Sequence, residues 1–204
     1  MELILIRHGK TAGNIRKAYI GSTDEPLSGE GISELRSRTP DTTLGHVYVT
    51  SLKRTQQTAR YLFPNAEQEI LPELREMDFG VFENRTADEM RDDAEYTDWV
   101  NAGCVPQCRN GESMSSFAER VGSGMTSLLK RAGEGSGPVV LVTHGGVIMA
   151  LMSSFDEKGG DYYSYWVDNL DGYAVTTSIG EDGRPVFRNS RLFHAGTNGP
   201  EARA

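Results

Sequence analysis

The sequence predicts an α/β fold, a three-layer α/β/α sandwich around a mixed, mostly parallel sheet, and three observations predict it. Leu3 to Ile6 and Val139 to Thr143 are short apolar runs rich in β-branched residues, as expected of strands buried on both faces. Each of these runs leads into a histidine followed by glycine, His8-Gly9 and His144-Gly145. Helical periodicity lies between the strands: Phe117, Val121, Met125, Leu128 and Leu129 fall on one helical face. Strands alternating with helices place helices on both faces of a sheet.

In chain order, His46 to Thr50 reads as a third buried strand, and Ser51 is placed to cap a helix running through Arg54, Thr58 and Leu62. Thr86 with Glu89 spells a capping box that opens a further helix. Ser116 with Glu119 spells another at the head of the long amphipathic helix, which Gly133 ends. A helix starting near Gly146 follows the Val139 to Thr143 strand. Tyr173 to Ile179, the turn residues Gly180-Glu181-Asp182-Gly183 and then Val186-Phe187 read as an antiparallel hairpin, which makes the sheet mixed. Gly133 to Pro138 reads as a loop and Ala195 to Ala204 as a frayed tail. With no internal repeat and no linker, the 204 residues are expected to form a single domain.

The charge balance narrows the partners. A formal charge of -8 offers no positive field to draw in nucleic acid or anionic lipid, so an anionic substrate must be held by local positive charge. The apolar start of the chain is too short and wrongly flanked for a signal peptide, and no run approaches the roughly 18 apolar residues of a membrane span. Two cysteines, Cys104 and Cys108, are too few for a disulfide framework and lack a second Cys or His pair for a metal site. A cytoplasmic protein with free thiols is expected.

In an open α/β sheet, ligands bind beyond the carboxyl ends of the strands. The residues found there are Arg7-His8-Gly9, Ser51 to Arg54, and His144-Gly145-Gly146. Two histidines and two arginines on one rim suit phosphoryl transfer, in which the protein mainly positions the group and neutralises charge spread over three oxygens. Arginine forks bind such oxygens bidentately. A neutral imidazole attacks phosphorus through one nitrogen when the other donates to a fixed acceptor. The glycines allow close backbone approach, and a helix N-terminus near Gly146 would aim amides at the anion.

These residues, with Thr11 and Asn14, resemble the signature of the histidine phosphatase, or phosphoglycerate-mutase-like, superfamily. The resemblance continues through Pro26 to Gly31, Ser51 to Ala59, Leu74-Arg75-Glu76-Met77-Asp78-Phe79-Gly80, Gly111-Glu112-Ser113 and Val142 to Gly146, covering Met1 to about Met152. It implies His8 as nucleophile, Arg7, Arg54 and His144 around the phosphate, and Asn14 as a further polar contact. It also implies Glu76 as acid and base. A departing alkoxide needs a proton and the attacking water must later lose one, so a carboxylic acid beside the leaving group meets both needs. Glu83 and Glu112 are the next carboxylates in line. Gly21 and Gly145 match family positions that touch substrate, and Arg85 is a candidate for a second anionic group.

The sequence departs from the family pattern at Phe82-Glu83-Asn84-Arg85, where many of these phosphatases carry Trp-Glu-Gly. Asn84 is expected to take the left-handed conformation that the glycine would serve. The resemblance implies a phosphatase that needs no cofactor and acts on a small-molecule phosphate ester. Compact length and the Arg-Glu-Met-Asp-Phe-Gly block bring it nearest to α-ribazole phosphatases and broad-specificity phosphatases. A mutase and a non-catalytic phosphate-binding module are the alternatives, and a metalloenzyme built on His8, His144 and Glu76 is opposed by the adjacent arginines. The segment around 84 to 112, with Tyr96 and Trp99, is expected to lid the pocket and offers rings for stacking or for the core.

Overall fold

A computed structural model describes residues 1–133 and 137–197. Six strands form one sheet: β1 (Glu2–Arg7), β2 (His46–Val49), β3 (Glu67–Ile70), β4 (Val139–Thr143), β5 (Asp171–Ile179) and β6 (Pro185–His194), in the spatial order β3-β2-β4-β1-β5-β6. The first four pair in parallel, while β1–β5 and β5–β6 are antiparallel, as the hairpin signal requires. The helices are α1 (Ala12–Arg16), α2 (Gly29–Arg36), α3 (Lys53–Leu62), α4 (Ala94–Asn101), α5 (Met114–Ala132) and α6 (Gly145–Phe155).

The sheet is buried on both faces by two apolar clusters. Leu3, Leu5 and Leu141 point toward Phe117, Val121, Met125 and Leu128 of α5 and Ile148 and Leu151 of α6. Ile6, Val47, Val49, Val140 and Val142 point the other way, toward Leu35 of α2 and Ala59 and Leu62 of α3. All five residues of β4 are buried, which explains its unbroken apolar run.

Several local expectations shift. The capping box of α5 is Ser113 with Ser116, one turn earlier than Ser116 with Glu119, and Gly133 ends the helix at φ 68°. Thr86 and Glu89 do bond reciprocally, but only turns follow, and α4 begins later with Asp93 as its cap. Ser51 does not cap α3; Asp24, from a separate loop, accepts the Lys53 amide at 2.7 Å. Strand β3 was not expected, because Glu67-Gln68-Glu69-Ile70 is a polar, partly exposed edge. The loop expected at Gly133 to Pro138 and the tail expected at Ala195 to Ala204 lie partly outside the described residues. No helix among the described residues is long and apolar enough to cross a membrane.

Candidate active site

The parallel register sets Arg7 opposite Thr143 and Val49 opposite Val142. His8, His144 and Thr50 therefore emerge side by side from the three central strands. The two imidazoles meet edge to face, with ring centroids 5.2 Å apart.

His8 is buried, and its Nδ1 lies 2.7 Å from the Gly9 carbonyl, an acceptor only, so Nδ1–H donates and Nε2 is left as the basic atom. Burial first, then the charges of Arg54 and Arg7, push its pKa well below the usual histidine value and keep the ring neutral. The loop behind it is pinned: the Gly9 amide donates to Thr58 Oγ1 at 2.9 Å, and Asn169 Nδ2 donates to the His8 carbonyl at 2.8 Å and reaches Asn14 Oδ1 at 3.4 Å.

Arg54 has no exposed surface, 0%, and its orientation is fixed on three sides. It donates through two nitrogens to the Thr23 and Gly21 carbonyls, at 2.7 and 2.8 Å, and through Nε to His144 Nδ1 at 3.3 Å. His144 Nδ1 is thus an acceptor, and Nε2–H donates to Thr50 Oγ1 at 2.9 Å. Burial, followed by Arg54, keeps this histidine neutral as well. Arg7 donates to the Val167 carbonyl at 2.7 Å, and its Nε is buried with no partner among the described residues.

Glu76 accepts from the Met77 and Gly146 amides, both at 3.0 Å. Burial raises its pKa, opposed by those amides and by Arg54 and Arg7. A side chain at Gly146 would put Cβ 2.3 Å from Glu76 Oε1, so only glycine lets carboxylate and helix meet. The Gly146 amide, expected to face an anion, serves Glu76 instead.

Arg7, His8, Asn14, Glu76, Gly145 and Gly146 line one end of a cavity of about 290 Å³. Arg54 and His144 pack against His8 outside that lining. Gly21 and Arg85 are not in it either. Gly21 lies against the Met77 backbone, where a Cβ would come 1.7 Å from the Met77 carbonyl oxygen, and its own carbonyl holds Arg54. Arg85 pairs with Asp93 at 3.1 Å. Tyr96 and Trp99 are buried, and the Trp99 indole donates to the Pro106 carbonyl at 3.0 Å. Asn84 is left-handed at φ 61°, as its place in the motif suggests.

The residue with the largest role that its place in the sequence does not reveal is Glu83. Its carboxylate accepts from the amides of Gly21, Ser22, Thr23 and Phe79 and from the Thr23 hydroxyl. It thereby fixes the loop whose carbonyls hold Arg54. Glu112 is taken by Arg120, at 2.7 Å to each oxygen. Among the described residues no group of three or more His, Cys, Asp or Glu is placed to hold a metal ion. Cys104 and Cys108 are free thiols, and burial pushes Cys108 up to about 11.

Residues 3–189 match the profile of the histidine phosphatase superfamily, branch 1. The chain is 36% identical over 166 residues to the adenosylcobalamin/alpha-ribazole phosphatase of Salmonella typhimurium, covering 75% of this chain and 78% of that protein. It is 34% identical over 164 residues to an Enterobacter sp. (strain 638) protein named "Probable phosphoglycerate mutase GpmB", covering 76% and 74%. The crystal structure of the alpha-ribazole phosphatase from Shigella flexneri superposes with a TM-score of 0.80 at 27% identity, covering 98% of this chain and 100% of that one.

Proposed function

The chain belongs to the histidine phosphatase superfamily, and we propose that it hydrolyses small-molecule phosphate monoesters by carrying the phosphoryl group on His8. The observation that carries this reading is the neutral His8 imidazole, its Nδ1–H fixed on Gly9, sharing a cavity with an unpartnered Arg7 donor and a Glu76 of raised pKa.

In the first step His8 Nε2 attacks phosphorus and the ester P–O bond breaks. The bonding pair goes to the leaving oxygen, which takes the proton of Glu76. In the second step the Glu76 carboxylate removes a proton from water, the water oxygen bonds to phosphorus, and the Nε2–P bond breaks to release phosphate. Nδ1 keeps its proton throughout. Arg7 Nε gains a phosphate oxygen as partner, and Arg54 supplies positive charge from behind His8. Because both of its ring nitrogens are bonded to protein, His144 is assigned the task of orienting Arg54 and backing His8. Asn14 and Gly145 border the same end of the cavity and contribute polar contact and close backbone approach. The segment around 84 to 112 is proposed to wall the pocket, with Trp99 as part of its packed inner face.

The mutase name carried by several relatives raises a second reading. A phosphoglycerate would bring a carboxylate as well as phosphate, and Arg7 is the one Lys or Arg among the residues lining the cavity. That favours hydrolysis of an ester with a single anionic group, and α-ribazole 5′-phosphate is proposed first because of the phosphatase names among the relatives. Turnover should be measured on α-ribazole 5′-phosphate, p-nitrophenyl phosphate and 3-phosphoglycerate. The expected result is phosphate release from the first two and at least roughly tenfold lower kcat/KM on the third, the scale of one unpaired charge. Interconversion of phosphoglycerates without phosphate release would replace this reading with the mutase.

A further inference from the structure

We propose that Trp166 and Tyr163 form a stacking platform that selects esters whose leaving group is flat, ring-bearing and uncharged. The proposal rests on the phosphomonoesterase reading and adds the residues that choose among esters.

Beyond the end occupied by Arg7, His8 and Glu76, the cavity lining holds no Lys, Arg, Asp or Glu. Rings and thioethers supply it instead. Large apolar side chains left in water are informative when they gather at one place. Tyr163 is 62% exposed and Trp166 56%, while Tyr61, the other exposed aromatic among the described residues, stands at 37% and away from the cavity. The two most exposed rings thus stand at the same mouth. A cavity of about 290 Å³ is at the small end of ligand clefts, about 300 to 1,000 Å³. It suits a phosphate with one compact ring system lying partly on the rim.

The platform is fixed in place by the reacting end. Trp166 follows a single 3-10 turn, Tyr162–Tyr165, in extended backbone, and with Tyr165 and Val167 buried on either side of it the indole faces out. The Val167 carbonyl holds Arg7, Asn169 holds the His8 carbonyl, and the Leu170 amide donates to the Arg7 carbonyl. Tyr163 stands edge-on to Tyr162 at 5.0 Å and 89°, and it shares the cavity wall with Cys104. The Tyr162 hydroxyl reaches the Gly146 carbonyl at 3.4 Å. The indole N–H of Trp166 has no partner among the described residues. Preorganised aromatic faces of this kind bind rings with little loss of side-chain freedom. By contrast Tyr96 and Trp99, the rings marked out by the sequence, belong to the core, and Trp99 meets the cavity only as a buried ring of its wall, 6% exposed.

The test compares two alkyl esters that need the same proton donor, p-nitrobenzyl phosphate and glycerol 2-phosphate. In Trp166→Ala and in Tyr163→Ala, the ratio of kcat/KM for the ring ester to that for the glycerol ester should fall roughly tenfold, the scale of a lost aromatic contact. Trp166→Phe should keep most of that ratio. An unchanged ratio in both alanine variants, or a wild-type preference for the glycerol ester, would overturn the platform. A binding arm separates this from failure of the phosphatase reading. Both tryptophans line the cavity, so binding is read by calorimetry rather than fluorescence: p-nitrobenzyl phosphate should bind the His8→Ala protein, with a Kd roughly tenfold higher in His8→Ala/Trp166→Ala. If the wild type hydrolyses neither ester, the phosphatase reading fails while the calorimetry still decides the platform; no binding, or a Kd unchanged by the loss of Trp166, rejects it.

Discussion

The two ends of the cavity are built differently. The phosphate end is charged, buried and fixed by hydrogen bonds from the ends of β1, β2 and β4, with Arg54, His144 and Thr50 joined in one chain of donors and acceptors. The leaving-group end is uncharged, partly exposed, and assembled outside the sheet, from loop and turn residues such as Tyr19, Met77, Phe79, Tyr163 and Trp166, with Trp99, Met114 and Met149 added by helices. Charge that must meet developing charge needs exact placement, and a sheet supplies it. Recognition of a ring needs only a face at the right depth, and loops can vary that face without disturbing the chemistry.

If this division holds, the largest losses come from the phosphate end. Glu76→Gln should slow phosphorylation by alkyl phosphates roughly 10² to 10⁴-fold, the usual scale of general acid help, and much less by aryl esters, which leave without a proton. The pH profile adds a signed check. The acid must be protonated and the nucleophile neutral. Burial raises Glu76 above 4.5 and lowers His8 well below 6.5. The alkyl phosphorylation rate should therefore fall with rising pH through the raised Glu76 value, and fall on the acid side only well below 6.5. Glu76→Gln should remove the alkaline fall, and equal losses on aryl and alkyl esters would exclude Glu76 as donor.

A smaller loss is expected at Glu83, which touches the reaction only through the loop holding Arg54. Glu83→Gln replaces one acceptor oxygen with a donor amide facing backbone N–H groups. Steady-state kinetics should show kcat/KM falling by roughly 10- to 100-fold, the scale of a displaced positioning group, while the alkyl-to-aryl ratio stays at the wild-type value. A change in that ratio would make Glu83 a proton donor in its own right. The smallest effect is at Arg85, whose partner is Asp93 on the surface. Arg85→Ala should leave kcat/KM on p-nitrophenyl phosphate within about twofold, since such exposed pairs contribute little. A larger loss would bring Arg85 back to the substrate.

The same division decides what could be read from the sequence. The gathering of Arg7, His8, Arg54 and His144 in one place was legible because apolar runs mark the strands and the strand ends mark the rim. Strand β3 was not legible: it borders one neighbour only, exposes Glu67 and Ile70 and half-buries the polar Gln68 and Glu69, so neither alternation nor burial marks it. The cap of α3 was hidden because Asp24 lies 29 residues from Lys53, beyond any local pattern. For α5, Ser113-Ser116 and Ser116-Glu119 are both spelled out, and tertiary packing selects the first. Glu83 was read only as the next carboxylate in line after Glu76, since five donors converging on it is a property of the fold. Trp166 and Tyr163 did leave a signal, the dense aromatic run Tyr162-Tyr163-Ser164-Tyr165-Trp166, but composition alone did not separate the buried Tyr165 from the exposed Trp166.

The central claim, transfer of the phosphoryl group to His8 at the buried end, is tested most directly by rapid quench with a ³²P-labelled phosphate ester. The wild-type chain should yield protein-bound label that is labile to acid and stable to alkali, mapping to the peptide that contains His8. His8→Ala should trap none. Label that survives acid, label on a serine or aspartate peptide, or full turnover by His8→Ala would contradict the account.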